Sequence, residues 1–161
     1  YNAAGNGLAD DTAAINAALN AARVSNTTGK IVYLPAGIYR VTDTLAFPEP
    51  RITLMGASRE TTIIRLADNT AAFGNQFRVY VNDLTIDTGV GNPGAIGLKL
   101  HQNNSGGAHN LTIRSGDPQR VGVIGLDLRG TDKGPGLLRK LSVVGFDTGI
   151  GAKHPFTGAH L

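Results

Sequence analysis

The residues able to do chemistry are few and scattered along the 161-residue chain. Asp10 and Asp11 form the one adjacent pair of carboxylates. Paired carboxylates serve glycoside hydrolysis as acid and base, or as nucleophile, when their separation suits the mechanism. These two, however, open an apolar-periodic segment, where carboxylates satisfy free helix N–H groups. Helix capping is therefore their expected role. The four histidines, His101, His109, His154 and His160, lack metal-ligand spacing. With no cysteine there is no disulfide, zinc thiolate or thiol nucleophile. No Gly-x-Ser-x-Gly elbow occurs, and Gly5-Asn6-Gly7 is not a phosphate loop because no strand precedes it.

The remaining candidates are isolated charges whose meaning depends on what positions them. Charged residues are only 17% and apolar ones 41%, so a core is available and a disordered charged tail is not indicated. The net charge of +3 comes from 15 basic and 12 acidic residues with no basic run, unlike the basic stripe of a nucleic-acid binder. No stretch reaches the ~18 apolar residues of a membrane span. Glycine, at 22 residues, is about twice its usual share. Together with abundant Val, Ile, Leu and Thr, it points to strands joined by tight turns.

One helix is predicted, after Asp10-Asp11-Thr12, with Ile15, Ala18, Leu19 and Ala22 on one stripe. Strands follow at Lys30-Ile31-Val32-Tyr33-Leu34 and Ile38-Tyr39-Arg40-Val41, around the turn Pro35-Ala36-Gly37. Beyond them a repeat emerges. Leu84-Thr85-Ile86, Leu111-Thr112-Ile113 and Leu141-Ser142-Val143 share a pattern, with 27 residues from Leu84 to Leu111 and 30 from Leu111 to Leu141. A second series, Ile96-Gly97-Leu98, Ile124-Gly125-Leu126 and Ile150-Gly151-Ala152, is spaced by 28 and 26 residues. Ile52-Thr53-Leu54 with Ile63-Ile64 forms an earlier, looser turn. Such periods mean stacked units that bury their faces against neighbours.

Leucine-rich repeats would need a Leu and Asn ladder that is absent, and helical repeats would need helices in every unit. Short strands separated by Gly or Asn fit the coils of a parallel β-helix, stacked about 4.8 Å apart. In that arrangement Leu84, Ile86, Ile96, Leu98 and Leu100 point inward, and Thr85, Asp87, Lys99 and His101 outward. The helix plugs the first coil, whose edge is otherwise an open pairing template. Aligned coils place Lys99, Asp127 and Lys153 in one outward column, Asp87 under Arg114, and His101 under Arg129.

The segments Tyr1-Asn2-Ala3-Ala4-Gly5-Asn6-Gly7, Ala9-Asp10-Asp11-Thr12-Ala13-Ala14-Ile15 and Val32-Tyr33-Leu34-Pro35-Ala36-Gly37-Ile38-Tyr39 resemble the entry motif of the pectate-lyase superfamily of right-handed parallel β-helices. That superfamily includes polygalacturonase- and rhamnogalacturonase-like hydrolases, family 55 glucanases, polysaccharide lyases, epimerases and phage tailspikes. Asn2 and Asn6 depart from the usual Gly and Asp of the motif.

The resemblance implies an all-β, right-handed, single-stranded parallel β-helix with an N-terminal capping α-helix. Its parts would be a cap over residues 1–29, coils over 30–152 and an irregular tail over 153–161. It further implies the N-terminal part of a secreted or extracellular carbohydrate-active enzyme, a glycoside hydrolase or a polysaccharide lyase. The alternative is a non-catalytic polysaccharide-binding or structural module such as a tailspike shaft. Polygalacturonase-like signatures are missing from the coils, so if the parent protein is such a hydrolase, its catalytic coils are expected beyond Leu161. Within the chain, the enzyme reading, hydrolase or lyase, makes Asp117, Asp127 and Arg114 the catalytic candidates, with Lys99, His101 and Asp87 as contacts to an acidic sugar. No resident cofactor or metal is expected, although a lyase would add Ca²⁺. A ladder of surface ion pairs, each contributing about 0–1 kcal/mol, explains the alternating charges and is the preferred reading of them. Polysaccharide is the expected partner, without nucleic acid or membrane. The last coil's open edge predicts either a fragment of a longer protein or self-association there.

Overall fold

A computed structural model of the chain describes residues 1–22, 30–48, 51–69, 79–100, 106–129 and 136–152. The described chain is a parallel β-solenoid. Its strands are β1 (Asn6–Asp10), β2 (Lys30–Leu34), β3 (Gly37–Val41), β4 (Ile52–Gly56), β5 (Thr62–Leu66), β6 (Tyr80–Asp87), β7 (Ile96–Lys99), β8 (Gly107–Arg114), β9 (Ile124–Asp127), β10 (Leu137–Val144) and β11 (Thr148–Gly151). Alternating burial in β4 and β5 follows directly from the sequence, with Ile52, Leu54, Ile64 and Leu66 buried and Thr53, Met55, Ile63 and Arg65 half-buried.

All recorded strand pairs are parallel. One series runs β2–β4–β6–β8–β10, a second β1–β3–β5–β6, and β7–β9–β11 form a separate sheet. The expected aliphatic column is present: Leu84 pairs with Leu111, and Leu111 with Leu141. The early coils use two strands where later coils use one. The first half of β6 pairs with β4 and its second half with β5. Between these halves β6 bends at Asp83 (φ 56°), and β8 and β10 repeat the bend at Asn110 (φ 52°) and Lys140 (φ 53°). Asn and Asp tolerate this left-handed conformation, and the Asn110 side-chain amide donates to Asp83 Oδ1 at 2.8 Å.

The Ile-Gly-Leu signal has a packing cause. A Cβ on Gly97 would fall 2.4 Å from Ile113 Cγ2, and one on Gly125 2.2 Å from Val143 Cγ1. Glycine lets the small sheet approach β8 and β10 closely, and Phe146 lies against the same two positions. The third repeat of this series pairs differently from the sequence alignment. Thr148 rather than Ile150 pairs with Ile124, and Ile150 pairs with Leu126. Asp127 therefore stacks on Gly151, and Lys153 lies outside the described residues.

Helix α1 (Thr12–Ala21) buries Ile15 and Leu19 in the same apolar cluster as Leu54, Leu84 and Leu111. Asn16 ties it to the chain after β3, donating to the Thr44 carbonyl and accepting from the Ala46 N–H, both at 3.0 Å. The capping expectation holds for Asp10, which accepts an N–H of the first helical turn, and needs correction for Asp11. Asp11 occupies the N-cap position but makes no side-chain cap bond. Its carboxylate instead accepts the N–H groups of Ala4 and Gly5 at 2.6 and 3.1 Å, folding the entry segment back. Asp10 takes the Thr12 N–H at 3.0 Å. Among the described residues, a water-sized apolar cavity of about 30 Å³ lies beside Leu54, Ile64, Val81 and Leu98.

Candidate functional site

A single outward column crosses five strands. Asp10 pairs with Arg40, Arg40 with Arg65, Arg65 with Asp87, and Asp87 with Arg114. Arg40, Arg65, Asp87 and Arg114 each follow a buried aliphatic or aromatic residue (Tyr39, Ile64, Ile86 and Ile113), so the pleat turns them outward. Arg40, Arg65, Asp87 and Arg114, with Asp68 and Ser115, line a groove of about 590 Å³.

Asp87 organises this groove. Its position faces outward, as expected, yet the residue is only 2% exposed. Neighbouring coils cover it. Its Oδ1 accepts the Gly89 N–H at 2.9 Å, and its Oδ2 accepts Arg114 Nε and Nη2, both at 2.9 Å. Arg65 Nη2 lies 3.6 Å from the same oxygen. The arginine side chains remain 43% (Arg65) and 42% (Arg114) exposed, leaving guanidinium donors open to solvent. Guanidinium forks of this kind match carboxylates geometrically. The arrangement can hold anions, while Asp87 itself is too fully engaged to act as a free base. At the far end, Asp10 is held at about 2 by hydrogen bonds from the Thr12 and Thr42 hydroxyls and the Thr12 N–H.

The other predicted residues are distributed as follows. Asp117 is half-buried in the turn after β8, and its two oxygens accept the N–H groups of Gly91 (2.9 Å) and Gln119 (2.8 Å). It ties two neighbouring turns together. Lys99 stacks on Asp127 in the small sheet, as expected. Asp127 is 4% exposed and binds Arg129 through the backbone N–H and Nε, both at 2.9 Å. Burial alone would raise its pKa, but the Arg129 hydrogen bonds and the charges of Arg129 and Lys99 outweigh burial and hold it below its usual range. His101 lies outside the described residues. The structure thus brings Asp87 and Arg114 together, and Lys99 and Asp127 together, in two separate places.

Arg40 and Arg65 escaped the sequence reading. Their signal was Tyr39-Arg40-Val41 and Ile64-Arg65-Leu66, a charge between apolar residues as in Ile113-Arg114. The repeat hides it because 25 residues separate Arg40 from Arg65, and only 22 separate Arg65 from Asp87. A Ca²⁺ ion takes 6–8 oxygen ligands. Among the described residues no three of His, Asp or Glu converge, and the Asp87 and Asp117 oxygens are already engaged. These residues do not fit a Ca²⁺ site.

Fold and groove together define a parallel β-solenoid with an arginine-rich, anion-accepting face. The chain belongs to the rhamnogalacturonase A/epimerase, pectate lyase-like family, whose sequence model covers residues 1–114. It is 35% identical to mannuronan C5-epimerase AlgE5 of Azotobacter vinelandii over 54% of this chain and 10% of that protein. It is equally similar to alginate lyase 7 of the same organism, over 54% of this chain and 12% of the lyase. The chain thus spans only about a tenth of the length of these relatives. ORF18 of Geobacillus virus E2 shares the fold, with TM-score 0.56, 23% identity, and coverage of 79% of this chain and 26% of that one.

Proposed function

We propose that this chain forms part of a protein that acts on an acidic polysaccharide, its sugar carboxylates held by Arg40, Arg65 and Arg114. The observation that carries the reading is the column itself, three arginines on stacked coils, with Arg65 and Arg114 held by one buried carboxylate. Relatives that epimerise or cleave uronate polymers support the same ligand class. Both reactions begin by removing the proton next to a sugar carboxylate, a step favoured when cations neutralise that carboxylate. In this role Arg114 and Arg65 neutralise and orient the uronate. Lys99 with Asp127, and Asp117, are the remaining candidate contacts. The solenoid is read as right-handed, with α1 closing the first coil, and a polymeric substrate agrees with an extracellular location.

A binding role without catalysis in this segment is the second reading. One observation favours it: Asp87, Asp117 and Asp127 each already accept protein hydrogen bonds. The test is incubation with mannuronan, alginate and polygalacturonate, following unsaturated-uronate absorbance, reducing ends and solvent deuterium at the sugar carbon. Unsaturation marks a lyase, deuterium without cleavage an epimerase, and reducing ends alone a hydrolase. Binding without product supports the second reading. If none of the polymers binds, or if Arg65→Ala/Arg114→Ala leaves binding unchanged, the groove assignment is wrong.

A further inference from the structure

A second outward face lies on the other side of the bends at Asp83, Asn110 and Lys140. It is built by β2, β4 and the first halves of β6, β8 and β10. Tyr33 and Tyr80 stand out on it, 55% and 36% exposed, although their chain neighbours Val32, Leu34, Val79 and Val81 are buried. Register fixes their relation. Tyr33 pairs with Met55 and Met55 with Asn82, two residues after Tyr80. Two strand spacings across and two residues along put the tyrosines about 12 Å apart, too far to stack on each other. Thr53 lies between them, paired directly with Tyr80. The same face continues through His109 to Arg139. From residue 31 to residue 139 none of its outward positions is Asp or Glu.

We propose that this face is a second polysaccharide-binding surface, distinct from the arginine groove, on which an acidic sugar chain lies obliquely across the coils. The proposal rests on the reading that the protein's ligand is an acidic polysaccharide. Sugar rings present an apolar C–H face and a rim of hydroxyls. Exposed tyrosine rings cover the first at low entropic cost. The half-buried amide of Asn82 and imidazole of His109 suit the second. Charge selects the occupant. A face whose outward positions carry Arg139 and no Asp or Glu meets like charge against its own copy, but opposite charge against a polyuronate.

The experiment compares long-chain alginate with a uronate trimer, by calorimetry on the folded chain. Tyr33→Ala/Tyr80→Ala should weaken the polymer about tenfold and leave the trimer unchanged. Thr53→Glu, which adds a carboxylate between the rings, should weaken the polymer similarly, with the loss shrinking at high salt. Arg65→Ala/Arg114→Ala should instead lose the trimer. Unchanged polymer affinity in both face variants, at normal melting temperature, overturns this surface and leaves the groove standing. A change in oligomeric state without a change in polymer affinity also overturns it, in favour of a second copy. If the wild-type chain binds neither ligand, the proposed function falls and this surface with it.

Discussion

Asp87 and Arg114 occupy equivalent positions on neighbouring coils, and both Nε and Nη2 of the arginine lie 2.9 Å from one carboxylate oxygen. The pair is asymmetric, because the Asp87 side chain is 3% exposed and that of Arg114 is 42% exposed. Its loss is therefore felt mainly by the carboxylate. Arg114→Ala leaves Asp87 with the Gly89 N–H and the more distant Arg65. We expect a loss of about 1–3 kcal/mol in urea unfolding, with incomplete recovery in Arg114→Lys, whose ammonium cannot reproduce the fork.

The aliphatic column offers a graded test of stacking. Leu111 is fully buried between Leu84 and Leu141, whereas Leu141 is half-buried on the last described coil. Leu111→Ala should cost about 3–5 kcal/mol by denaturant titration, and Leu141→Ala about half as much. Equal costs would contradict the stacking order.

Close approach at Gly125 predicts overpacking. Gly125→Ala would bring a methyl group to 2.2 Å from Val143 Cγ1 and 2.9 Å from the Gly149 carbonyl oxygen. The expected loss is about 1–3 kcal/mol, partly relieved by Val143→Ala in a double-mutant cycle. Gly94→Ala, with nothing within 4 Å, serves as the control and should be near neutral.

Asp10 makes stability depend on acid. Its folded-state pKa of about 2 lies below the unfolded value near 3.9. The unfolded chain therefore binds the proton more readily, and the contribution present above pH ~4 disappears as pH falls toward 2. The site is largely solvated, which limits the effect to about 1 kcal/mol. Thr42→Val removes one donor and should flatten this part of the melting-temperature profile between pH 4 and 2.

Much of the architecture was legible because a solenoid writes itself along one dimension. The Leu84, Leu111 and Leu141 spacing gives coil length directly, and Asp87 under Arg114 follows from that alignment. Arg40 and Arg65 were not legible, since the early coils are shorter and split into two strands. Asp11 was misread for a different reason. A carboxylate at a helix start has two sets of N–H groups within reach, and here Ala4 and Gly5 took it.

Composition, periodicity and the opening motif were sufficient to specify a parallel β-solenoid with aliphatics inside, because burial of one face imposes a period-two pattern on every strand. Tertiary structure decided which charges share a column. Ile150 pairs with Leu126 rather than Ile124, a slip of two residues that keeps every side chain on its own side. An in-and-out pattern is blind to even slips, so only turn lengths and the fit of side chains against Gly125 and Phe146 could set that register.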